Sequence, residues 1–283
     1  MTKNKTLLIT GCSSGIGLAA AQGLKKRGYR VFPSARKTED VKILKEDGFE
    51  DALLLDLDDS ESIRFAVESL LEKTNGELYG LFNNAAYGQA GAVEDLTRDT
   101  LRKNFETNLF GTHELTSLLI PVMRKQGYGR IIQNSSVLGL ICLPYRGAYN
   151  ATKYALEGLT DTLRMELKNT NIKVSLIEPG PITSKFRANA FAAYQRNIDK
   201  ENSFHREIYI GMEQRLTKKG PAVPFTLPPE AVLDKVIHAL ESNKPKIRYY
   251  VTFPTYLFAT LKRFLPHSWL EKILLKVSSD EQK

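Results

Sequence analysis

Cysteine is scarce in this chain of 283 residues, with Cys12 and Cys142 its whole complement. The two form no CxxC pair and sit at no metal-ligand spacing, which excludes a disulfide framework and a zinc cage and suits a reducing compartment. Histidine is nearly as sparse. His113, His205, His238 and His267 stand apart, and His113-Glu114 lacks the second histidine of a metalloprotease helix, so no metal is expected. Long apolar runs are missing too. Nothing approaches the ~20 residues of a spanning helix, and the run 7–9 behind Lys3 and Lys5 is too short for a secretory signal. The expected location is cytoplasmic, with at most peripheral contact to a membrane surface. No repeat, low-complexity tract or Gly/Ser linker divides the chain, so 1–283 is expected to fold as a single domain.

Hydrophobic residues make up 42% of the sequence and charged residues 25%, enough for a large core and too balanced for disorder. The net charge of +8 is unevenly spread. Between 244 and 277, Lys244, Lys246, Arg248, Lys262, Arg263, Lys272 and Lys276 are opposed by Glu271 alone. That segment has no base-reading motif, and nucleic acid is not an expected partner.

Short β-branched or leucine-rich runs at 6–10, 29–34, 52–57, 78–83, 130–134, 173–177 and 247–251 alternate with longer helical stretches. The alternation predicts a doubly wound α/β fold, a mostly parallel sheet of seven strands with helices on both faces. Residues 184–225 break the pattern, and Pro221, Pro224, Pro228 and Pro229 close that stretch. It reads as an insertion that covers the substrate.

The first strand runs into Thr10-Gly11-Cys12-Ser13-Ser14-Gly15-Ile16-Gly17, followed by a helical stretch. Glycines in a strand-to-helix turn let the backbone approach a pyrophosphate, whose charge the helix N-terminus favours. Residues 11–15 also satisfy the G-x-S-x-G elbow of serine esterases, with Ser13 as nucleophile. That elbow normally follows several strands, whereas Ser13 follows the first. Its histidine would have to be His238 or His267, neither with a motif around it, so the hydrolase is the lesser reading.

Tyr149 and Lys153 open a helical stretch at i, i+4 spacing and share one face. A cation beside a phenol favours phenolate, so Lys153 is expected to lower the pKa of Tyr149 and make it a proton donor and acceptor. Ser136, at the end of the 130–134 strand, is the third member of the group.

Taken in order, TGCSSGIG at 10–17, NNAA at 83–86, NLFG at 108–111, the pair Ser135-Ser136, YNATK at 149–153 and EPGPITS at 178–184 resemble the short-chain dehydrogenase/reductase superfamily. The likeness runs from about residue 6 to 251. It is strongest to the branch holding 17β-hydroxysteroid and retinol dehydrogenases and bacterial YbbO-type NADP-dependent aldehyde reductases. It implies a Rossmann-type sheet, and an oxidoreductase in which Tyr149 is the general acid/base and Ser136 hydrogen-bonds the substrate oxygen. Lys153 holds the nicotinamide ribose, and Asn108 anchors a water of the proton relay. The implied cofactor residues are Gly11, Ser13, Ser14, Gly15, Ile16, Gly17, Arg36, Asp56, Leu57, Asn84, Ala85, Tyr149, Lys153, Pro179, Gly180, Ile182 and Ser184. A homodimer or homotetramer pairing 99–125 and 147–168 is also implied. Ala86 departs from the pattern, since the family usually has glycine there, and the adjoining loop is expected to run differently.

An acid after the second strand accepts hydrogen bonds from a ribose 2′-OH, whereas arginine accommodates a 2′-phosphate. Ala35 stands where NAD-using members carry the acid and Arg36 follows, so NADP is the expected cofactor. Apolar residues flank the reaction centre. Leu138 and Tyr145 between Ser136 and Tyr149, and Phe186 in the insertion, are expected to line a site for a hydrophobic aldehyde, ketone or alcohol. A silent NADP-sensing protein is the remaining alternative. The tail, 252–283, reads as a basic amphipathic extension that either packs on protein or makes peripheral membrane contact through 252–277. Ser268 and Glu271 stand at capping-box spacing, with a helix expected after Pro266.

Overall fold

The structure, a computed structural model, describes residues 5–280. In chain order the elements are β1 (Thr6–Ile9), α1 (Gly15–Lys26), β2 (Arg30–Ala35), α2 (Thr38–Glu46), β3 (Leu53–Leu54), α3 (Ser60–Lys73) and β4 (Gly80–Asn83). Then come α4 (Arg98–Phe105), a π turn (Glu106–Phe110), α5 (Gly111–Gln126), β5 (Gly129–Asn134), α6 (Gly147–Glu166) and β6 (Ile172–Glu178). The chain continues through α7 (Phe186–Asn197), α8 (Arg206–Thr217), α9 (Glu230–Glu241), β7 (Arg248–Tyr250), α10 (Phe253–Phe264) and α11 (His267–Asp280).

The strands form one sheet in the order β3-β2-β1-β4-β5-β6-β7, and every pairing is parallel. All seven predicted strands are present. Side-chain alternation feeds two cores: Leu7 and Ile9 of β1 join Ala20, Leu24, Val232, Val236 and Leu240 on the α1/α9 face, and Leu8 joins Ile63, Leu70, Leu115 and Leu119 on the α3/α5 face. The order reverses between β1 and β4, so the crevice for a ligand opens at the carboxyl ends of these strands. β3 is shorter than the predicted 52–57 run, because it lies at the sheet edge with only Ser34 and Ala35 of β2 in register.

The insertion consists of α7 and α8, whose Tyr194, Tyr209 and Met212 form a third cluster with Ala90 and Ala92 from the loop after β4. The inner faces of α10 and α11 form a fourth, around Ile141, Phe258, Leu270 and Leu274. α11 begins at His267, so Ser268 lies inside its first turn instead of capping it, and the Pro266 carbonyl accepts the Trp269 and Leu270 amides.

Candidate active site

The glycine turn leaves β1 with Gly11 at φ +72°, and a Cβ there would stand 2.8 Å from the Ala85 Cα. Gly15 has φ +59° and abuts Ser184, whose Cβ would be 2.9 Å from an added Cβ. Only glycine fits both requirements. Ser14 precedes α1 without a side-chain cap bond, and the first turn of α1 has no acid, so the helix start offers N–H groups and no competing charge. This cradle fits a pyrophosphate. Ile16 and Ile182 pack together with the α1-side core, while Pro179 accepts the Val137 amide and Gly180 abuts Thr252.

Ser13 is exposed and has no hydrogen bond to a histidine; His238 Nδ1 is instead 2.8 Å from the Tyr249 hydroxyl. Neighbouring Cys12 is no nucleophile either, since burial pushes its thiol up to about 12. The esterase reading has no triad to stand on.

Polar residues at the strand ends tie the crevice together. The Thr10 hydroxyl accepts the Asn84 and Ala85 amides, both at 2.9 Å. Asn84 Nδ2 donates to the Thr10 and Gly11 carbonyls at 2.9 and 3.2 Å, and its Oδ1 accepts from Asn134 Nδ2 at 2.9 Å. The Asn84 side chain is therefore bound by protein partners and shapes the turn. Ala86 keeps a negative φ, so the conformation that would call for glycine is not adopted there. Arg36 follows β2 and is exposed, within electrostatic reach of Asp58 and Tyr87. Asp56 accepts the Asp58 amide at 3.1 Å, and Leu57 is buried in the α3-side core.

On the other side of the crevice, Ser136 follows β5 by two residues and caps a 3₁₀ turn, its hydroxyl accepting the Leu138 amide at 3.1 Å beside the Tyr149 phenol. Lys153 is buried one turn below, donating to the Asn134 carbonyl at 2.7 Å with its Nζ 5.6 Å from the Tyr149 ring centre. Ser136, Tyr149 and Lys153, predicted as one group, are brought together. Burial pushes the phenol well above its ordinary range, and the Ser136 hydroxyl beside it pulls the other way. The lowering expected from Lys153 is not found, because burial of the phenol itself dominates; burial also brings the Lys153 ammonium down to about 8. Glu157, the next residue on this helix face, works against that drop.

Asn108 lies in the π turn, a rare bulge that re-aims a side chain. Its Oδ1 accepts the Tyr87 amide at 3.0 Å, and its Nδ2 donates to the Tyr87 carbonyl at 2.9 Å and Thr152 Oγ1 at 3.1 Å. The amide thus braces the loop after β4 against α6.

The three predicted substrate residues part company. Phe186 meets the Tyr149 ring edge-on with centres 5.2 Å apart, above the reaction centre. Tyr145, at φ +60°, turns toward the lid, its ring 5.4 Å from His205 and 6.3 Å from Tyr209. Leu138 packs with the cluster under α10 and α11.

A buried charge cluster behind the wall was not foreseen. Arg248 of β7 pairs with Glu157 at 2.9 Å and with Asp161 at 2.8 Å, and its Nε lies 3.0 Å from Glu178. Glu178 is fully buried, and apart from the Arg248 ion pair neither of its oxygens, nor Glu157 Oε1, is met in hydrogen-bond geometry. Burial first, and the Glu157 charge next, raise the Glu178 carboxyl far above the usual carboxylate range. A proton retained on Glu178 supplies the donor the pair lacks. The sequence signal was an acid ending the apolar run of β6.

Residues 5–195 match the family described as short chain dehydrogenase. The chain is 46% identical over 270 residues to the uncharacterized oxidoreductase YbbO of Escherichia coli K12, covering 95% of this chain and 94% of YbbO. It is 32% identical over 278 residues to the NADPH-dependent 3-dehydrocapnine reductase of Ornithobacterium rhinotracheale, covering 95% of each. The crystal structure of a short-chain dehydrogenase from Streptomyces avermitilis matches with a TM-score of 0.75 at 28% identity, over 100% of this chain and 98% of that one. With the glycine turn and the Ser136, Tyr149 and Lys153 cluster flanking the crevice of an all-parallel sheet, the chain belongs to the short-chain dehydrogenase/reductase family of oxidoreductases.

Proposed function

We propose that the protein is an NADP(H)-dependent carbonyl reductase, working as an alcohol dehydrogenase in reverse, on hydrophobic aldehydes and ketones. The observation that carries this reading is the Tyr149 phenol, buried, beside the Ser136 hydroxyl and one helical turn from Lys153. A bound reduced nicotinamide would supply the hydride. The chain's own groups then manage the oxygen. As negative charge develops there, the Ser136 and Tyr149 hydroxyls donate hydrogen bonds and the Tyr149 Oη proton transfers to it. Burial keeps that proton on the phenol at neutral pH until an acceptor as basic as an alkoxide forms. The phenolate left behind is stabilised by the Lys153 ammonium and regains its proton from solvent. With the Asn108 side-chain amide bound by Tyr87 and Thr152, a relay water here would be left to the main chain of Asn108.

Gly11, Ser13, Ser14, Gly15 and Gly17 would cradle the pyrophosphate, Arg36 the 2′-phosphate, Asp56 and Leu57 the adenine side, and Lys153, Pro179, Gly180, Ile182 and Ser184 the nicotinamide half. The exposed Arg36, with no acid at position 35, supports NADP, as does the NADPH dependence of the Ornithobacterium relative. Phe186 beside Tyr149 supports an apolar substrate. The reading includes a homodimer or homotetramer, which exposed Phe110, Leu118, Leu159 and Met165 on and around α5 and α6 support.

A panel of carbonyl compounds followed by loss of NADPH absorbance, with NADH in parallel, tests the reading. Turnover of apolar carbonyls is expected, and Arg36→Ala should raise the KM for NADPH about tenfold while leaving that for NADH nearly unchanged. Equal effects on the two coenzymes would refute the NADP assignment. Coenzyme binding without oxidation by any carbonyl would favour the sensing role.

A further inference from the structure

α10 and α11 are apolar on two sides. Their inner side is accounted for: Phe258, Leu270 and Leu274 are buried against Ile141, and Leu261 and Leu265 pack there with Leu138 of the loop after Ser136. Lys262 fastens the same loop by donating to the Leu140 carbonyl. The outer side faces water. Phe253, Leu257, Thr260 and Phe264 recur at helical spacing and form one stripe, with Phe253 56% and Phe264 76% exposed. On α11, Trp269 is 63% exposed and Ile273 lies one turn on. Phe225, from the segment after α8, extends the surface by meeting Phe253 at 5.0 Å between ring centres. A hollow of about 440 Å³ between Tyr250 and the outer side of α10 is lined by Ala259, Thr260, Arg263 and Phe264.

A solvent-facing helix side is ordinarily polar, and exposed aromatic rings recurring along one side, as here, mark a docking surface. The charge around it selects the occupant. The two helices hold Lys262, Arg263, Lys272 and Lys276 against Glu271 and Asp280. A second copy docked through the same face would set the basic surface of Arg263, Lys272 and Lys276 against an equally basic one. An anionic bilayer surface supplies the opposite charge and takes aromatic side chains at its headgroup level.

We propose that the outer face of α10 and α11, together with Phe225, docks on an anionic lipid bilayer and sets the Ser136 loop at its surface. The proposal deepens the reading of a lipophilic substrate, and rests on it only for the use made of the docking. Vesicle binding is measured without coenzyme or carbonyl, so failure of the catalytic reading would leave that measurement standing.

The single tryptophan of the chain, Trp269, is a built-in probe. Full-length protein mixed with phosphatidylcholine vesicles containing phosphatidylglycerol should co-sediment and shift its emission to the blue, and should do neither with phosphatidylcholine alone at physiological salt. Each cation near such a surface strengthens binding about fivefold. The triple variant Arg263→Glu, Lys272→Glu, Lys276→Glu should therefore bind at least a hundredfold more weakly, with an unchanged circular dichroism spectrum. Phe253→Ser with Phe264→Ser, which leaves the inner side intact, should lose binding while keeping activity on a water-soluble carbonyl. Unchanged Trp269 emission and no sedimentation with anionic vesicles at low salt would overturn the proposal. So would equal binding by the charge-reversed protein, or a concentration-dependent dimer that buries Trp269 without lipid.

Discussion

The wall that carries Ser136, Tyr149 and Lys153 and the lid made by α7 and α8 meet at the Tyr149–Phe186 ring contact, yet they are held in opposite ways. The wall is fixed by buried polar bonds between strand ends: Lys153 to the Asn134 carbonyl, Asn134 to Asn84, Asn84 to the Thr10 carbonyl, and Asn108 to Thr152. Each bond sits where an unmade partner would be costly, so the geometry is over-determined. The lid is held by aromatic packing around Tyr194 and Tyr209 and by bonds at its rim, with Ser203 and Tyr209 on Asp95 and His205 on Glu94. On the proposed function, proton transfer requires fixed distances, whereas admission of a bulky apolar substrate requires a cover that can part. The contrast is open to attack from the wall outward.

The largest effect belongs to the phenol. Tyr149→Phe removes the proton and little else, because the ring keeps its place against Phe186. General acid catalysis of this kind contributes roughly 10²–10⁴ to the rate. kcat should fall by that factor while NADPH binding, followed by nucleotide fluorescence, holds. A variant that turns over normally would show that the wall is not where the proton comes from.

Much of this wall was legible because its signals are local. The glycine turn, the i, i+4 pair Tyr149 and Lys153, and the seven apolar runs each declare themselves within a few residues, and β1 alternates as a strand buried on both faces must. Contacts that depend on distant segments were not legible. Asn84 meets Asn134 fifty positions away, and Arg248 reaches Glu157 and Glu178 from three different elements. Tyr145, which reads as a substrate residue from its place between Ser136 and Tyr149, has a positive φ and packs against His205, a contact no local signal marks. For the tail, packing on protein and membrane contact read as alternatives, since periodicity does not tell which side of a helix meets the body. The structure assigns packing to one side and leaves the other apolar and exposed.

The next effect tests whether the wall includes its buried charge cluster. Lys153 is held at about 8 by burial, and the Glu157 carboxylate opposes that drop. Glu157→Gln removes the support, so the ammonium gives up its proton at lower pH. The alkaline limb of the kcat/KM profile, which reports the free enzyme, should move down by about one pH unit, with little change near pH 6 where Lys153 stays charged in both proteins. The fold should survive because Glu178, protonated beside Arg248, ionises once its neighbour is neutral. Linkage gives a second readout. Lys153 falls from its ordinary 10.5 to about 8, so between those values the unfolded chain binds more protons and stability rises with pH. Relative to Lys153→Met, the wild type should gain about 3 kcal/mol between pH 7 and the upper end of that window, by denaturant titration. A flat difference would mean that the folded protein holds the amine at its ordinary 10.5, charged through the whole window.

The smallest effect should come from the lid. Tyr209 is fully buried, accepts the Ala92 amide at 2.9 Å through its hydroxyl and donates to Asp95. Tyr209→Phe leaves that amide and carboxylate short of a partner, at a cost of about 1–2 kcal/mol to the closed arrangement. Because none of the wall's bonds run through Tyr209, the loss should appear as a few-fold rise in KM for the carbonyl substrate with kcat nearly unchanged, and as faster proteolysis within 186–217. If instead kcat fell as far as in Tyr149→Phe, lid and wall would be one mechanical unit. Phe186 would then be the link through which the rim orients the phenol.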